Sequence, residues 1–398
     1  LNTVDVLIGA DSLMARRSGI GRMTMEIVRA ARQTPRVGSV HLLINGRVRD
    51  AAALDAMAEP GDQLSAPCPN WKARLVDLPG MGAVRYARQR VIDRRISAFY
   101  RPGLVYYEPN MIARPVSIPT VVTINDLSWH HQPDWHPADR LAWIDRNLDA
   151  TLRQARIITA LSQFTKDAAV QALGIAADRI TVVPLAPAEA FRPFTPAEAA
   201  PVLARFDLTD RSYVLSISTI EPRKNFDRLF AAHQALPKPL RRRMPLVIAG
   251  GKGWGSSLSA AAVEAAASRG ELRLLGHVAD EELVALTARA GVFAYVSLYE
   301  GFGLPVIEAM AAGCAVVASN TTAIPEVAGD AAVLVDPLDV GAIKGGLQAV
   351  LTDGLLAGKL RTAGLLRAGL FGWNRTVDRL ADCWCAARDD ALAIRAAS

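Results

Sequence analysis

Short runs of apolar, often β-branched residues recur along the chain, each followed by a longer stretch in which apolar residues return every three or four positions. In the first half VDVLIG (4–9), SVHLLI (39–44), LVYY (104–107), TVVTIND (120–126), RIITAL (156–161) and RITVVP (179–184) predict strands. In the second half YVLSIS (213–218), PLVIAGG (245–251), LRLLG (272–276), VFAYV (292–296), AVVAS (315–319) and AAVLV (331–335) do the same. Strands alternating with amphipathic helices imply parallel sheets covered by helices, an α/β class, and each half holds enough strands for one doubly wound sheet. Between the halves, Pro184 to Pro201 carries five prolines in eighteen residues, which suits a linker between two domains. The division falls at residues 1–190 and 191–371, with 372–398 left over as a final helix.

Length agrees with this, since 398 residues exceed what one small core needs. Half the residues are apolar and 21% are charged, the composition of an ordinary globular protein. Apolar runs are interrupted well before the roughly 20 residues a spanning helix requires. No basic stretch followed by an apolar core opens the sequence, so a cytoplasmic protein is the expectation. Cys68, Cys314, Cys383 and Cys385 are read as free thiols, and the six histidines show no metal-ligand spacing, so no metal site and no cofactor are expected.

The formal net charge is +6, and the segment from Trp71 to Arg101 alone carries Lys72, Arg74, Arg85, Arg88, Arg90, Arg94, Arg95 and Arg101 against Asp77 and Asp93. Eight minus two equals the excess of the whole chain. With Val84, Tyr86, Val91, Ile92 and Ile96 interleaved, the stripe is either a solvated helix face or a surface for anionic lipid or another polyanion. Nucleic acid is not expected as a partner.

Candidate chemistry gathers at the predicted ends of strands. Gly19 and Gly21 lie between the first strand and its helix, either as a tight turn or as a backbone approach for an anion at a helix N-terminus. EPRKN (221–225) follows the first strand of the second half, where open α/β sheets bind ligands, and Arg223 and Lys224 reach one anion together, read as a diphosphate. In YEGFGLPVIEAMAAG (299–313), Pro305 suits a first helical turn, and the N–H groups around Gly303 and Leu304 face the crevice. Glu308 is placed in that first turn, either complementing the helix dipole or accepting from two vicinal hydroxyls. Glu300, outside the helix, has no capping role.

These stretches resemble a known family. EPRKN, the run from LLGHV (274–278) to CAVVAS (314–319), and TTAIPEVAGDAAVLVDPLD (321–339) look like the C-terminal half of retaining GT-B glycosyltransferases of family 4, also called glycosyl transferases group 1. Glu300 and Glu308 match that family's E-x7-E motif. SGIGR (18–22), TVVTINDLSW (120–129) and ITALSQFTKDA (158–168) extend the likeness toward bacterial O-antigen and exopolysaccharide enzymes, many of them mannosyltransferases.

The resemblance implies two Rossmann-like domains facing across a cleft, with a nucleotide-sugar donor on the C-terminal one. A glycan or lipid-diphosphate-linked acceptor would sit on the N-terminal one, and the last helix would recross to it. Arg223 and Lys224 would hold the diphosphate with help from Gly19, Gly21, Gly303 and Leu304. Glu300 with the backbone of Gly301, Phe302 and Gly303 would hold the transferring sugar, Glu308 the ribose, and His277 and Val278 the nucleobase. By analogy the donor is GDP-mannose, with a UDP-sugar as the alternative. The anionic inner face of the membrane is expected as the docking surface. Glu300, Asp126 and Asn125 are the catalytic candidates. Relatives commonly carry His where this chain has Asn125 before Asp126, so a titratable group is missing there; either the position only orients sugar or acceptor, or His130 or His131 compensates. A reading from a different class, a polyanion-binding protein on a degenerate scaffold, draws on the stripe and on Arg241 to Arg243.

Overall fold

In the computed structural model, residues 3–14, 19–52, 81–251 and 259–397 are described. Lys72, Arg74, Asp77, Cys68 and Ser18 lie outside them, as do the side chains of Val84, Arg85, Tyr86 and Arg88. The first sheet has strands β1 (Val4–Gly9), β2 (Val37–Ile44), β3 (Arg47–Asp50), β4 (Leu104–Glu108), β5 (Thr120–Ile124), β6 (Ala155–Ala160) and β7 (Ile180–Val182). The second has β8 (Val214–Ile217), β9 (Leu246–Ala249), β10 (Leu272–Gly276), β11 (Val292–Tyr295), β12 (Val316–Ser319) and β13 (Val333–Val335). Their orders are 3-2-1-4-5-6-7 and 10-9-8-11-12-13, so the direction of winding reverses between β1 and β4 and between β8 and β11.

Every pairing is parallel except β2 with β3. That edge hairpin was not expected. Its strand RVRD has three charged residues of four and no apolar alternation, while the legible signal was the Asn45-Gly46 turn, where both residues take positive φ.

Fifteen helices are described: α1 (Gly19–Gln33), α2 (Met81–Ala98), α3 (Ser128–His131), α4 (Ala138–Gln154), α5 (Gln163–Leu173), α6 (Pro196–Arg205), α7 (Phe226–Gln234), α8 (Lys238–Arg243), α9 (Ala260–Ser268), α10 (Asp280–Ala288), α11 (Leu304–Ala311), α12 (Ile324–Ala328), α13 (Val340–Thr352), α14 (Gly354–Ala368) and α15 (Trp373–Ala397). The last one packs on α1 and on β1, β4, β5 and β6 of the first sheet. Its anchor is Trp384, fully buried with its ring 5.4 Å from that of Tyr107, and Arg388 donates to the carbonyl of Thr3 at 2.7 Å. One apolar cluster continues from Val6 and Ile8 through Trp384 to Phe302 and Met310, which ties the two halves together.

On α2, Ile96 is buried and Ile92 packs against the core, so these two form its inner face, while Val91 is exposed. Arg90, Arg94 and Arg95 are exposed. Arg101 does not belong to that surface: it pairs with Asp5 at 3.1 Å and donates to Ser39. Among the described residues, no helix is long and apolar enough to cross a membrane, and no disulfide joins Cys314, Cys383 and Cys385.

Candidate functional site

Both reversal points carry charged side chains at the C-terminal ends of their strands, where parallel sheets leave a crevice. In the second domain the chain leaves β8, makes a short turn at Pro222–Lys224 and enters α7 through Asn225, which takes φ of 60°. The Asn225 amide donates to the carbonyls of Val296 at 2.9 Å and Pro337 at 2.7 Å, so this loop is pinned to the loop after β11. Arg223 and Lys224 are thereby aimed at Glu300.

Arg223 Nη1 lies 2.9 Å from Glu300 Oε2, and Lys224 Nζ lies 2.6 Å from Oε1, which also accepts from Tyr295 at 2.9 Å. Glu221 holds the other side of the guanidinium at 2.7 Å. Burial alone would raise the Glu300 carboxyl, yet Lys224 and Arg223 hold it down at about 2. Burial and the neighbouring Arg223 lower the Lys224 ammonium, whereas Glu300, Asp126 and Glu221 more than offset burial and raise Arg223. Sequence reasoning placed Glu300 toward the sugar and the cations toward a diphosphate; in this structure they bind one another.

Glycine is required at two places here. Gly303 enters α11 at φ of 96°, a left-handed conformation costly for other residues. A Cβ on Gly301 would run into the Asn125 carbonyl oxygen of the first domain. The Gly301 carbonyl is itself held across the cleft by Ser162 Oγ at 2.7 Å and Thr165 Oγ1 at 3.0 Å. Phe302 is buried edge-on against Phe371, so only its backbone faces the loop.

Glu308 is the fifth residue of α11, not part of its first turn, so the helix-dipole explanation falls away. It is 4% exposed, and its nearest cation is Arg22 of α1, 3.5 Å away across the cleft. Burial, which Arg22 only partly opposes, pushes its carboxyl up to about 7. Gly19 and Gly21 stand on the same first turn of α1 as Arg22, and a side chain at Gly19 would meet nothing within 4 Å. Val278 is buried and His277 exposed beyond the end of β10.

On the first-domain side, Asn125 donates to the Pro109 carbonyl at 3.1 Å, while its Oδ1 is buried without a partner. Asp126 accepts from the backbone and hydroxyl of Ser128 at 2.9 and 2.7 Å. His130 and His131 are exposed on α3, and the His131 ring lies 5.5 Å from Tyr299. The histidine that reaches the Asp126 network is His136, 3.1 Å from Ser128 Oγ.

Two further carboxylates were missed. Glu108 ends β4 at the first reversal point, accepting from Tyr106 at 2.6 Å, and burial pushes it up to about 7. Its sequence signal was a lone charge closing an apolar strand. Glu326, on α12 of the second domain, accepts from the backbone N–H groups of Gln163 at 2.9 Å and Phe164 at 3.2 Å, capping α5 of the first.

Two family models match, one described as Glycosyltransferase Family 4 over residues 17–186 and one as Glycosyl transferases group 1 over residues 205–366. The O-antigen chain mannosyltransferase B of Escherichia coli is 32% identical over 371 residues, 93% of this chain and 96% of that one. The chain belongs to the family 4 glycosyltransferases. A second relative of this glycosyltransferase, the GDP-mannose-dependent alpha-(1-6)-phosphatidylinositol monomannoside mannosyltransferase of Mycolicibacterium smegmatis, is 32% identical over 53% of this chain and 56% of its own. Among solved structures, a glycosyltransferase from Rickettsia africae superposes with a TM-score of 0.70 at 16% identity, covering 97% of this chain and 99% of that one. The lipopolysaccharide glycosyltransferase WaaG gives 0.68 at 15%, covering 95% and 99%. At such identities these two speak for the shared fold, two Rossmann-like domains in the GT-B arrangement.

Proposed function

We propose that this glycosyltransferase moves a mannosyl group from GDP-mannose to a glycan or lipid-diphosphate-linked acceptor in cell-surface polysaccharide synthesis, with retention of configuration and without a metal. The mannosyltransferase names of both relatives support the sugar, and the Mycolicibacterium relative's name supports the GDP donor. The observation that carries the reading is the Arg223, Lys224 and Glu300 cluster at the second reversal point, facing Asp126.

Breaking the bond between sugar and phosphate builds negative charge on the leaving diphosphate. Two cations already held side by side by Glu300 stabilise that charge without first having to be assembled. Glu300 then has two tasks, positioning the cations and lining the sugar pocket with the backbone of Gly301 to Gly303. Gly19 and Gly21 bring the start of α1 to the diphosphate from the opposite side, with Gly303 and Leu304 completing the cradle. Glu308 receives the ribose hydroxyls and exchanges Arg22 for them, while His277 and Val278 flank the base. Glu108, at the first reversal point, lies on the acceptor side. Of the three arginines behind the polyanion reading, Arg241 is engaged, 3.0 Å from the fully buried Glu271, while Arg242 and Arg243 stay exposed.

Exposed Arg90, Arg94 and Arg95 are proposed to hold the enzyme at the cytoplasmic membrane face. The test of the donor is a melting series with GDP-mannose, UDP-glucose and UDP-galactose, since a ligand at a hundred times its Kd stabilises by about 2.7 kcal/mol. GDP-mannose is expected to raise the melting temperature most and to support transfer in EDTA. Stabilisation by UDP-sugars alone overturns the donor, and activity that EDTA abolishes and magnesium restores overturns metal independence.

A further inference from the structure

One side chain at the cleft has a chemistry that the cluster around Glu300 does not use. His136 follows the turn Pro133–Trp135 between α3 and α4, and its Nε2 lies 3.1 Å from Ser128 Oγ. The single hydroxyl proton of Ser128 goes to Asp126 Oδ1 at 2.7 Å. A hydroxyl that has given away its proton accepts from the imidazole, so Nε2 carries the hydrogen. In the neutral ring this leaves Nδ1 as a bare lone pair, and Nδ1 is buried without a partner. Burial and Arg140 of α4 favour the neutral form, Asp126 opposes it, and from the second domain Arg223 favours it while Glu221 opposes it. The ring therefore sits at the seam between the domains, within electrostatic reach of the loop that carries the two cations.

Asn125 Oδ1, on the residue before Asp126, is a second buried acceptor without a donor. An orphaned neutral acceptor on a ring tied through Ser128 to a carboxylate is complementary to a hydroxyl group, which sugars present in abundance. A cationic ligand group would be drawn to Asp126 instead, and an anionic one is repelled by it.

Building on the glycosyl-transfer reading, we infer that His136 contacts substrate: its bare Nδ1 accepts a hydrogen bond from a sugar hydroxyl, with Ser128 and Asp126 holding the ring in the required tautomer. The titratable group missing at Asn125 is thus supplied from eleven residues further along the chain, and not by His130 or His131.

Two variants separate the nitrogens. His136→Gln keeps an amide N–H for Ser128 but has no acceptor in place of Nδ1, whereas His136→Asn sets a carbonyl oxygen near the Nδ1 position. With GDP-mannose as donor and a mannose-terminated glycolipid as acceptor, kcat/KM is expected to fall about tenfold or more in the Gln variant and to stay within roughly threefold in the Asn variant. Protonation of Nδ1 destroys the acceptor, so the wild-type rate falls at a pH below histidine's ordinary range, because burial and Arg140 favour the neutral ring, and the Asn variant loses that limb. Weaker binding of GDP-mannose but not of GDP by the Gln variant assigns the hydroxyl to the donor sugar; a raised acceptor KM alone assigns it to the acceptor. Equal kcat/KM for wild type and the Gln variant overturns the inference and leaves the transferase reading standing. So does a pH limb retained in the Asn variant, or, should neither variant fold, a wild-type profile that shows no acid limb down to about pH 4. Absence of wild-type transfer from GDP-mannose overturns the mannosyl reading and this inference with it.

Discussion

Glu308 is a carboxylate enclosed almost completely, with one cation at 3.5 Å. Its carboxyl is raised from 4.5 to about 7, so the folded chain holds this proton more tightly than the unfolded one. The contribution to stability is therefore complete below the ordinary 4.5 and is lost as pH rises through about 7. Glu308→Gln is expected to be more stable than the wild type at about pH 8, by up to about 3 kcal/mol, with the difference gone below about pH 4 in urea unfolding. The same variant should bind GDP roughly ten- to a hundredfold more weakly, because a hydrogen bond to a charged group is lost; undiminished affinity removes Glu308 from the ribose site. Glu300 has the opposite sign. Its carboxyl is depressed to about 2, so its stability is present above 4.5 and lost as pH falls through that depressed value. Glu300→Ala removes the carboxylate from buried Lys224 and leaves Arg223 to Glu221 alone, and is expected to cost about 3–5 kcal/mol, measured by the same unfolding.

At the level of elements, α5 shows a helix whose start belongs to both domains. Ser162 is its N-cap, accepting from Thr165 N–H at 3.1 Å, and the same hydroxyl donates to Gly301 across the cleft. Glu326 takes the next two N–H groups. Ser162→Ala should lose about 1–2 kcal/mol as a missing cap, whereas Glu326→Gln should leave the first domain's unfolding nearly unchanged and weaken transfer through the domain contact; equal unfolding shifts for both would make Glu326 an ordinary cap. Central strands such as β5, β9, β11 and β12 were legible because they are buried on both faces and read as continuous apolar runs. The edge strand β3 was not, since its side chains are charged and exposed. Arg223 and Lys224 were legible as adjacent cations just past the end of an apolar strand, and Glu300 and Glu308 through the E-x7-E spacing that resembles the family's. His136 and Glu326 were illegible for the converse reason: each gains its meaning from a partner on a different element, and no local period records that partner.

For the whole molecule, three exposed arginines on α2 project from the first domain, while the neighbouring basic residue Arg101 is spent on Asp5. Each basic residue near an anionic surface contributes about 1 kcal/mol, so Arg90, Arg94 and Arg95 changed together to Gln should reduce co-sedimentation with anionic vesicles by roughly tenfold or more, and binding to neutral vesicles should be weak for both proteins. Indifference to lipid charge would return α2 to a solvated face. The crossing of the cleft by Ser162 and Thr165 to the carbonyl of Gly301 bears on a different matter, the safety of the activated donor. On the proposed reading, the loop that lines the sugar pocket takes its shape from the opposite domain, so a nucleotide-sugar held by the second domain alone would meet an unfinished pocket. On that reading cleavage would wait until the two halves meet, and the delay would protect the donor from being squandered on water.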